Sequence, residues 1–288
     1  MSAIVTQRSE LLFLYDVKRC NPNGDPMDAN RPRIDEESGK CLVTDVRLKR
    51  TVRDYLMTKG YDGTNPGKDI FIRDVDDKPV TGPKRAEAYA DKKEFISKFI
   101  DVRLFGGVSA AKGKSFNLTG PVQFGMGVSL HKVKENFIKG TGAFATSEGA
   151  EQRTFREEYN ITYGLIGFQG VINENAAKHT QLTQTDVDEL LDALWNGTKN
   201  LLTRSKKGHL PRLLVKIDYH TPNYFIGDLL ERLSLLSDKA EEAFEDVTDF
   251  TLDTAALNAA LDKHREHINN ITVWQDERLL LSQPIKTQ

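Results

Sequence analysis

The chain has 288 residues, with 39% hydrophobic and 28% charged side chains and a formal net charge of −2 at pH 7. That length can bury a full hydrophobic core, as one large domain with insertions or as two smaller ones, while the nearly balanced charge argues against an indiscriminate nucleic-acid binder. No stretch approaches the ~20 apolar residues of a membrane helix, and the first residues lack the regions of a signal peptide, so we expect no membrane partner.

The first predicted element is a strand over residues 11–17. Both of its faces are apolar up to Asp16, which indicates a central strand. Residues 21–26, Asn-Pro-Asn-Gly-Asp-Pro, contain two prolines and a glycine, so the chain must leave the sheet there. Asn21, Asn23 and Asp25 can each bond their own backbone. Two interpretations fit: a structural Asx turn, or a loop that offers amides to a sugar-phosphate chain.

A helix with an apolar and a cationic side is predicted to follow. Thr44 is a good N-cap, with Asp45 in the first turn where a negative charge complements the helix dipole. At about 100° per residue, Leu48 and Val52 share a face with the apolar residues after them. The cations of the other side are Arg47, Lys49, Arg50 and Arg53. This side is either a solvated surface or one that faces phosphates.

The middle of the chain is predicted to alternate insertions with strands. Residues 57–100 look inserted and include a helix from about 84 to 98, and residues 101–105 are strand-like. Residues 109–117, with Lys112 and Lys114, favour an exposed loop and a mobile nucleic-acid contact. Residues 121–130 alternate as a half-buried strand does.

After this strand, residues 139–158 favour a projecting loop or hairpin. Residues 186–202 have helical spacing, with Trp195 in the apolar stripe and therefore in the core. A basic loop, Arg204-Ser-Lys-Lys-Gly-His209, leads to another strand at 213–219. The order of strand, helix, insertion, strands, helix and strand predicts an α+β fold with an antiparallel sheet backed by helices.

The C-terminal segment differs from the rest in charge. Residues 228–288 contain 13 acidic and 6 basic side chains, whereas residues 1–227 contain 29 and 34. The spacing predicts two helices, at about 228–246 and 254–269, followed by a short segment at 271–274. Such an acidic segment either keeps the protein in solution or faces a basic neighbour in an assembly.

The cysteines give no sign of a metal or disulfide. Cys20 and Cys41 stand singly on either side of the turn, and with six scattered histidines they form no zinc spacing. We therefore expect two small buried thiols, no metal or other cofactor, and a reduced cytoplasmic compartment.

Several motifs together resemble a known family. They are Tyr15-Asp-Val, Asn21-Pro-Asn-Gly-Asp-Pro26, Arg31-Pro-Arg-Ile-Asp35 with Gly39, Val43-Thr-Asp-Val-Arg-Leu-Lys-Arg50, Arg53-Asp-Tyr-Leu56, Asp101-Val-Arg-Leu-Phe-Gly-Gly107, Gly120-Pro-Val-Gln-Phe124 and Ser205-Lys-Lys-Gly-His209. The chain resembles the backbone subunit of CRISPR type I effector complexes (Cascade), most closely the type I-B form, within the repeat-associated (RAMP) superfamily. The resemblance covers residues 10 to about 220.

The resemblance implies a modified RNA-recognition-motif, or ferredoxin-like, antiparallel palm with a finger-like insertion and a thumb-like hairpin. Residues 1–56 and 101–227 would form the palm, 57–100 the fingers, and the region near 139–158 the thumb, with 228–288 as an acidic, mainly helical segment. Copies of the subunit would polymerise head to tail along a CRISPR guide RNA, beside other Cascade subunits, and leave its bases free to pair with target DNA.

On this basis the expected RNA contacts lie at the turn, on the cationic helix and in the later basic loop. They are Asn21, Asn23, Arg31, Arg47, Lys49, Arg50, Arg53, Lys206, Lys207 and His209. No catalytic residue and no enzymatic activity are expected.

Two alternatives stay open at this point. Related subunits of type III complexes cut target RNA, and Asp25, Asp28 and Asp35 lie near the palm turn. Regularly spaced cuts in complementary RNA with Mg²⁺ would indicate such a nuclease. A stand-alone RNA-binding protein would instead stay monomeric on RNA of any length.

Overall fold

The computed structural model describes residues 3–75, 78–89, 91–109, 116–145 and 153–287. The predicted loop contact with Lys112 and Lys114, and the tip of the 139–158 hairpin, lie outside these residues. The described strands are β1 (Arg8–Cys20), β2 (Gly24–Asp25), β3 (Arg31–Pro32), β4 (Lys40–Val43), β5 (Gly106–Ser109), β6 (Phe116–Thr119), β7 (Val122–Phe124), β8 (Gly127–Lys132), β9 (Glu135–Ala145), β10 (Arg153–Ile172), β11 (His209–Tyr219), β12 (Ser234–Leu236), β13 (Thr251–Asp253) and β14 (Ile268–Gln275). The described α-helices are α1 (Asp45–Thr58), α2 (Gly82–Glu87), α3 (Lys92–Lys98), α4 (Ile100–Phe105), α5 (Glu174–Thr180), α6 (Gln184–Lys199) and α7 (Ala255–Lys263).

The main sheet is antiparallel and is centred on β1. Its order is β14-β11-β1-β10-β8-β4, and β7 and β9 also pair with β10. Phe13 on β1 pairs with Phe168 on one side and with Leu214 on the other. Along the chain, β1, α1, β8, β10, α6 and β11 follow the β-α-β-β-α-β order of ferredoxin-like folds. The predicted α+β class and central strand are confirmed.

One face of this sheet is covered by α1 and α6. The inward side chains of β1, including Phe13 and Tyr15, pack with Leu48 and Val52 of α1 and Leu190 of α6. Thr44 caps α1 as predicted, because its side chain accepts a hydrogen bond from the backbone N–H of Arg47. The local signals of the sequence therefore gave both helices correctly.

The other face of the sheet is covered by the C-terminal segment. Leu12 and Leu14 of β1 share a buried cluster with Phe244, Val247 and Leu252. This corrects the predicted helices: residues 228–246 hold only 3-10 turns and the short strand β12, and α7 is confined to Ala255–Lys263. Burial against the sheet, rather than helical periodicity, determines this conformation. The last predicted piece, β14, pairs with β11 as an edge strand.

Residues 57–100 contribute most of a smaller apolar cluster, which includes Phe71, Phe95 and Phe99 and is completed by Val102 and Leu118. The helix predicted over 84–98 is two helices, because Asp91 caps α3 by accepting from the N–H of Glu94. Residues 101–105 are helical rather than strand-like. The apolar residues of this segment alternate along the sequence, which suggested a strand. In the helix they instead pack into two separate apolar clusters.

The hairpin of β9 and β10 extends past the end of β1. The C-terminal part of β10 pairs with β1 from Ile161 to Ile172, while its earlier residues pair only with β9 among the described residues. A projecting hairpin in this region was predicted. The half-buried strand predicted at 121–130 is also present, as β7 and β8 with a break at Gly125 and Met126. Within the described chain, no helix is long and apolar enough to cross a bilayer.

Candidate nucleic-acid interface

The turn after β1 is held in place by its own amides. The Asn21 side chain is buried and donates to the carbonyl of Asn30 at 2.6 Å. The Asn23 side-chain oxygen accepts from both the backbone N–H and the hydroxyl of Thr44, each at 2.9 Å. The turn is thereby fixed against the N-terminus of α1. Asn21 and Asn23 therefore have structural roles, although their side chains bond Asn30 and Thr44 rather than their own backbone as in an Asx turn.

The basic loop that precedes β11 packs against this turn. The backbone N–H of Asn21 donates to the carbonyl of Ser205 at 3.1 Å, and the Lys206 ammonium donates to the carbonyls of Asn21 and Pro22, the latter at 2.8 Å. Gly208 is required for this approach, because a Cβ there would lie 2.2 Å from the carbonyl oxygen of Lys18. Two predicted segments far apart in sequence therefore form one surface.

Arg47, Lys206 and His209 meet where this loop reaches α1, and we call them the Arg47 cluster. They line one small cavity together with Tyr15 and Thr51. Arg47 donates to the hydroxyl of Thr51 at 3.2 Å and, among the described residues, makes no ion pair with a carboxylate. An arginine without an acidic partner beside a lysine is a site that favours an anion.

Burial determines the protonation of this cluster. Desolvation, and then repulsion from Arg47, lower the pKa of Lys206 to about 8. Desolvation, followed by Lys206 and Arg47, lowers the pKa of His209 to about 3. His209 is therefore neutral at pH 7, so the predicted RNA contact through its ring would be a hydrogen bond rather than an ion pair. Desolvation also lowers the pKa of Arg47, and an incoming phosphate would relieve that cost.

The other cations of α1 face different surroundings. Arg53 is buried and pairs with Asp101 at 2.9 Å, so the predicted contact with RNA would have to compete with this ion pair. The Lys49 side chain is only 15% exposed, pairs with Asp45 and lies over the ring of Phe105. Arg50 is exposed and pairs with Asp54 at 2.6 Å. Of the four predicted helix contacts, only Arg47 faces the loop.

Arg31 connects the turn to the projecting hairpin. Its guanidinium donates twice to the carboxylate of Glu135, at 3.1 and 2.6 Å, and lies 5.2 Å from the ring centre of Tyr159. The Tyr159 ring packs against Phe137 across the hairpin, with ring centres 4.7 Å apart and the ring planes tilted by 31°. Phe137 is 45% exposed, and the Lys139 ammonium lies over it. The hairpin thus presents two adjacent rings between two cations.

Lys207 and Arg204 are the exposed cations of the basic loop. The Arg204 guanidinium lies 3.1 Å from the carboxylate of Glu158 on the hairpin. Together with the Arg47 cluster and Arg31, these side chains form a basic margin around the end of β1. Cationic side chains clustered in this way favour binding of a flexible polyanion.

The acidic residues near the turn are used locally. Asp25 pairs with Arg33 at 2.9 Å, and Asp28 lies 3.7 Å from Arg31. Hydrogen bonds from the Ser38 hydroxyl and backbone lower the pKa of Asp35. No group of three or more His, Cys, Asp or Glu side chains in the described residues could hold a metal ion. Asp25, Asp28 and Asp35 therefore each have a local partner. Both cysteines are free and buried, as predicted.

Comparison with known proteins supplies the family. Residues 7–255 match the family model described as CRISPR-associated protein Cas7. The chain belongs to the Cas7 family. The CRISPR-associated protein Cas7 of Haloferax volcanii is 36% identical over an alignment of 305 residues, which covers 95% of this chain and 88% of that protein. The resemblance to the backbone subunit of type I Cascade, predicted from the motifs, is thus confirmed over more of the chain than the motifs covered.

Solved structures share the fold of this Cas7-family chain. One, from a CRISPR RNA-guided surveillance complex, superposes with a TM-score of 0.57 at 15% identity and covers 94% of this chain and 89% of its own. A second, from a CRISPR RNA-guided surveillance complex in a pre-nicking state, has a TM-score of 0.54 at 16% identity, covering 90% and 87%. At these identities the likeness concerns the fold.

Sequence reasoning missed three parts of this Cas7-family site. Tyr15 was assigned to the strand core, although its ring also contacts His209 edge-on, with the ring centres 5.7 Å apart. Phe137 and Tyr159 went unnoticed because their pairing depends on the hairpin register. Aromatic residues beside Lys139 in a polar segment were the signal that could have found them.

Proposed function

We propose that this Cas7-family chain is the guide-RNA-binding backbone subunit of a type I Cascade surveillance complex. Copies polymerise head to tail along CRISPR RNA and present its bases for pairing with target DNA in antiviral defence. Family membership over most of the chain carries this conclusion. The role requires recognition of backbone shape and charge rather than of sequence, since base pairing supplies the sequence specificity.

The geometry supports contact with RNA at the end of β1 rather than on the sheet. An RNA-recognition motif normally stacks bases on an open sheet face. Here α1 and α6 cover one face, and the C-terminal segment covers the other. The basic margin of Arg31, Arg47, Lys206 and Lys207 lies beside the covered sheet. Arg47 and Lys206 would bind phosphate there, while Phe137 offers a ring on which a base can stack.

The same proposal assigns a role to each part of the chain. The sheet with α1 and α6 would be the palm, residues 57–100, which contribute most of the smaller apolar cluster, the fingers, and the β9–β10 hairpin the thumb. The chain would act without catalysis, beside further copies of itself and other Cascade subunits, in the cytoplasm. Two free buried thiols agree with a reducing compartment.

A binding assay with a matched control tests this proposal. Lys207→Gln removes an exposed cation of the basic margin, and Lys263→Gln removes an exposed cation of α7, which packs on the far face of the sheet. Fluorescence anisotropy with single-stranded RNA should show weaker binding and a salt slope smaller by about 1 for Lys207→Gln only. Equal effects of the two substitutions would place the RNA elsewhere.

A further inference from the structure

The hydrogen-bond pattern of His209 leaves one ring nitrogen without a partner. His209 is 2% exposed, and its Nδ1 lies 2.6 Å from the carbonyl oxygen of Lys206, so Nδ1 carries the proton and donates. Because the ring is neutral, Nε2 must be an acceptor. Nε2 is buried and has no hydrogen-bond partner among the described residues. A buried acceptor of this kind costs stability unless something donates to it.

A cavity of about 10 Å³ adjoins this ring, lined by Tyr15, Pro22, Arg47, Leu48, Thr51, Thr198, Leu201, Lys206 and His209. That volume fits one water-sized group. The wall offers His209 as acceptor and the Arg47 guanidinium as donor, while the Thr51 hydroxyl already donates to the Arg47 carbonyl and can only accept. A group that both donates and accepts, and is no larger than a hydroxyl, matches this lining.

We infer that this cavity is a socket for one ribose 2′-hydroxyl of the guide, and that it makes the chain prefer RNA to DNA. The inference rests on the proposed function, since Arg47 and Lys206 would hold the adjoining phosphate. The hydroxyl donates to Nε2 of His209 and accepts from Arg47. Asn21, at the same turn, has a second buried oxygen without a donor among the described residues. A deoxyribose leaves the His209 acceptor unpaired, which is how a polar site rejects an analogue that lacks a hydroxyl.

The test compares wild-type protein on three oligonucleotides of one sequence: RNA, DNA, and RNA carrying 2′-O-methyl groups. RNA should bind about tenfold more tightly per copy than DNA, the effect of about one hydrogen bond. The 2′-O-methyl RNA should bind no better than DNA, because the methyl group does not fit the cavity. Equal affinities for all three would mean that the cavity holds a buried water only, and would overturn the inference.

Two variants identify the residue responsible. His209→Leu should reduce the ratio of RNA affinity to DNA affinity toward one, whereas Lys207→Gln should weaken binding of both ligands by the same factor and keep the wild-type ratio. A folded His209→Leu that keeps the wild-type ratio would remove His209 from the socket. If His209→Leu does not fold, the wild-type comparison above decides. If wild-type protein binds none of the three oligonucleotides, this result contradicts the proposed function itself.

Discussion

The guanidinium of Arg53 and the carboxylate of Asp101 form a buried ion pair at 2.9 Å, in which the two side chains are 9% and 1% exposed. The same carboxylate accepts from the backbone N–H groups of Phe71 and Ile72, at 2.7 and 3.2 Å. One acid thus joins α1, α4 and the inserted segment. The pair connects the proposed fingers to the palm and holds no free charge for a ligand.

Replacing Arg53 with Ala should therefore reduce stability. It leaves Asp101 buried without its counter-charge, and such broken pairs cost about 3–5 kcal/mol. Urea unfolding followed by circular dichroism measures the change. RNA affinity of the folded fraction should remain near the wild-type value.

Arg50→Ala is the matched control for Arg53→Ala, since it removes the same side chain from the exposed face of the same helix. Its pair with Asp54 is solvent-exposed, so the cost should be about 0–1 kcal/mol. A small loss for Arg53→Ala together with weaker RNA binding would restore Arg53 as a contact residue.

RNA affinity should depend on pH through Lys206. Its pKa falls from 10.5 to about 8, so the free protein loses this charge as pH rises through about 8. Phosphate favours the protonated form, and affinity should therefore decline over the same range. Titration of Lys206 does not lower the stability of the fold in this range, because at this residue the unfolded chain binds more protons than the folded chain between about pH 8 and 10.

Dissociation constants measured between pH 6.5 and 9 check this dependence. Lys206→Arg keeps its charge at every pH, so it should bind with a flatter profile. Lys206→Met should bind more weakly and also without the decline near pH 8. A decline of wild-type size in Lys206→Met would assign the titration to another group.

The C-terminal segment should contribute to the core of the whole chain. Leu252 is 0% exposed and packs on the sheet, whereas Leu236 in the same segment is 51% exposed. Leu252→Ala should cost about 2–5 kcal/mol, and Leu236→Ala less than about 0.5 kcal/mol. Thermal or urea unfolding compares them. Similar small losses would show that the segment is an appendage rather than a cover.

The sequence predicted what depends on neighbouring residues and failed where distant ones decide. The Thr44 cap and the spacing of Leu48 and Val52 are local signals, and α1 was predicted correctly. Whether Arg53 is exposed or buried in an ion pair depends on Asp101, which lies near it only in the folded chain. The proximity of Arg47 and Lys206 likewise depends on the sheet order, because β1 and β11 pair in the sheet but lie far apart in the sequence.

The C-terminal segment shows the same limit. Its apolar residues have spacing that a helix could use, but their partners are Leu12, Leu14 and other outward residues of the sheet. Because β1 is apolar on both faces, the sequence already indicated that something must cover the second face. Nothing in the local pattern identified the segment that does so.

The most direct test of the account is to weigh the complexes that purified protein forms with single-stranded RNA of increasing length, by native mass spectrometry. A guide-RNA backbone subunit should add copies in regular steps as the RNA lengthens, with each step one chain of 32.4 kDa. Protein that stays monomeric on every RNA, or binds none of them, would contradict the account.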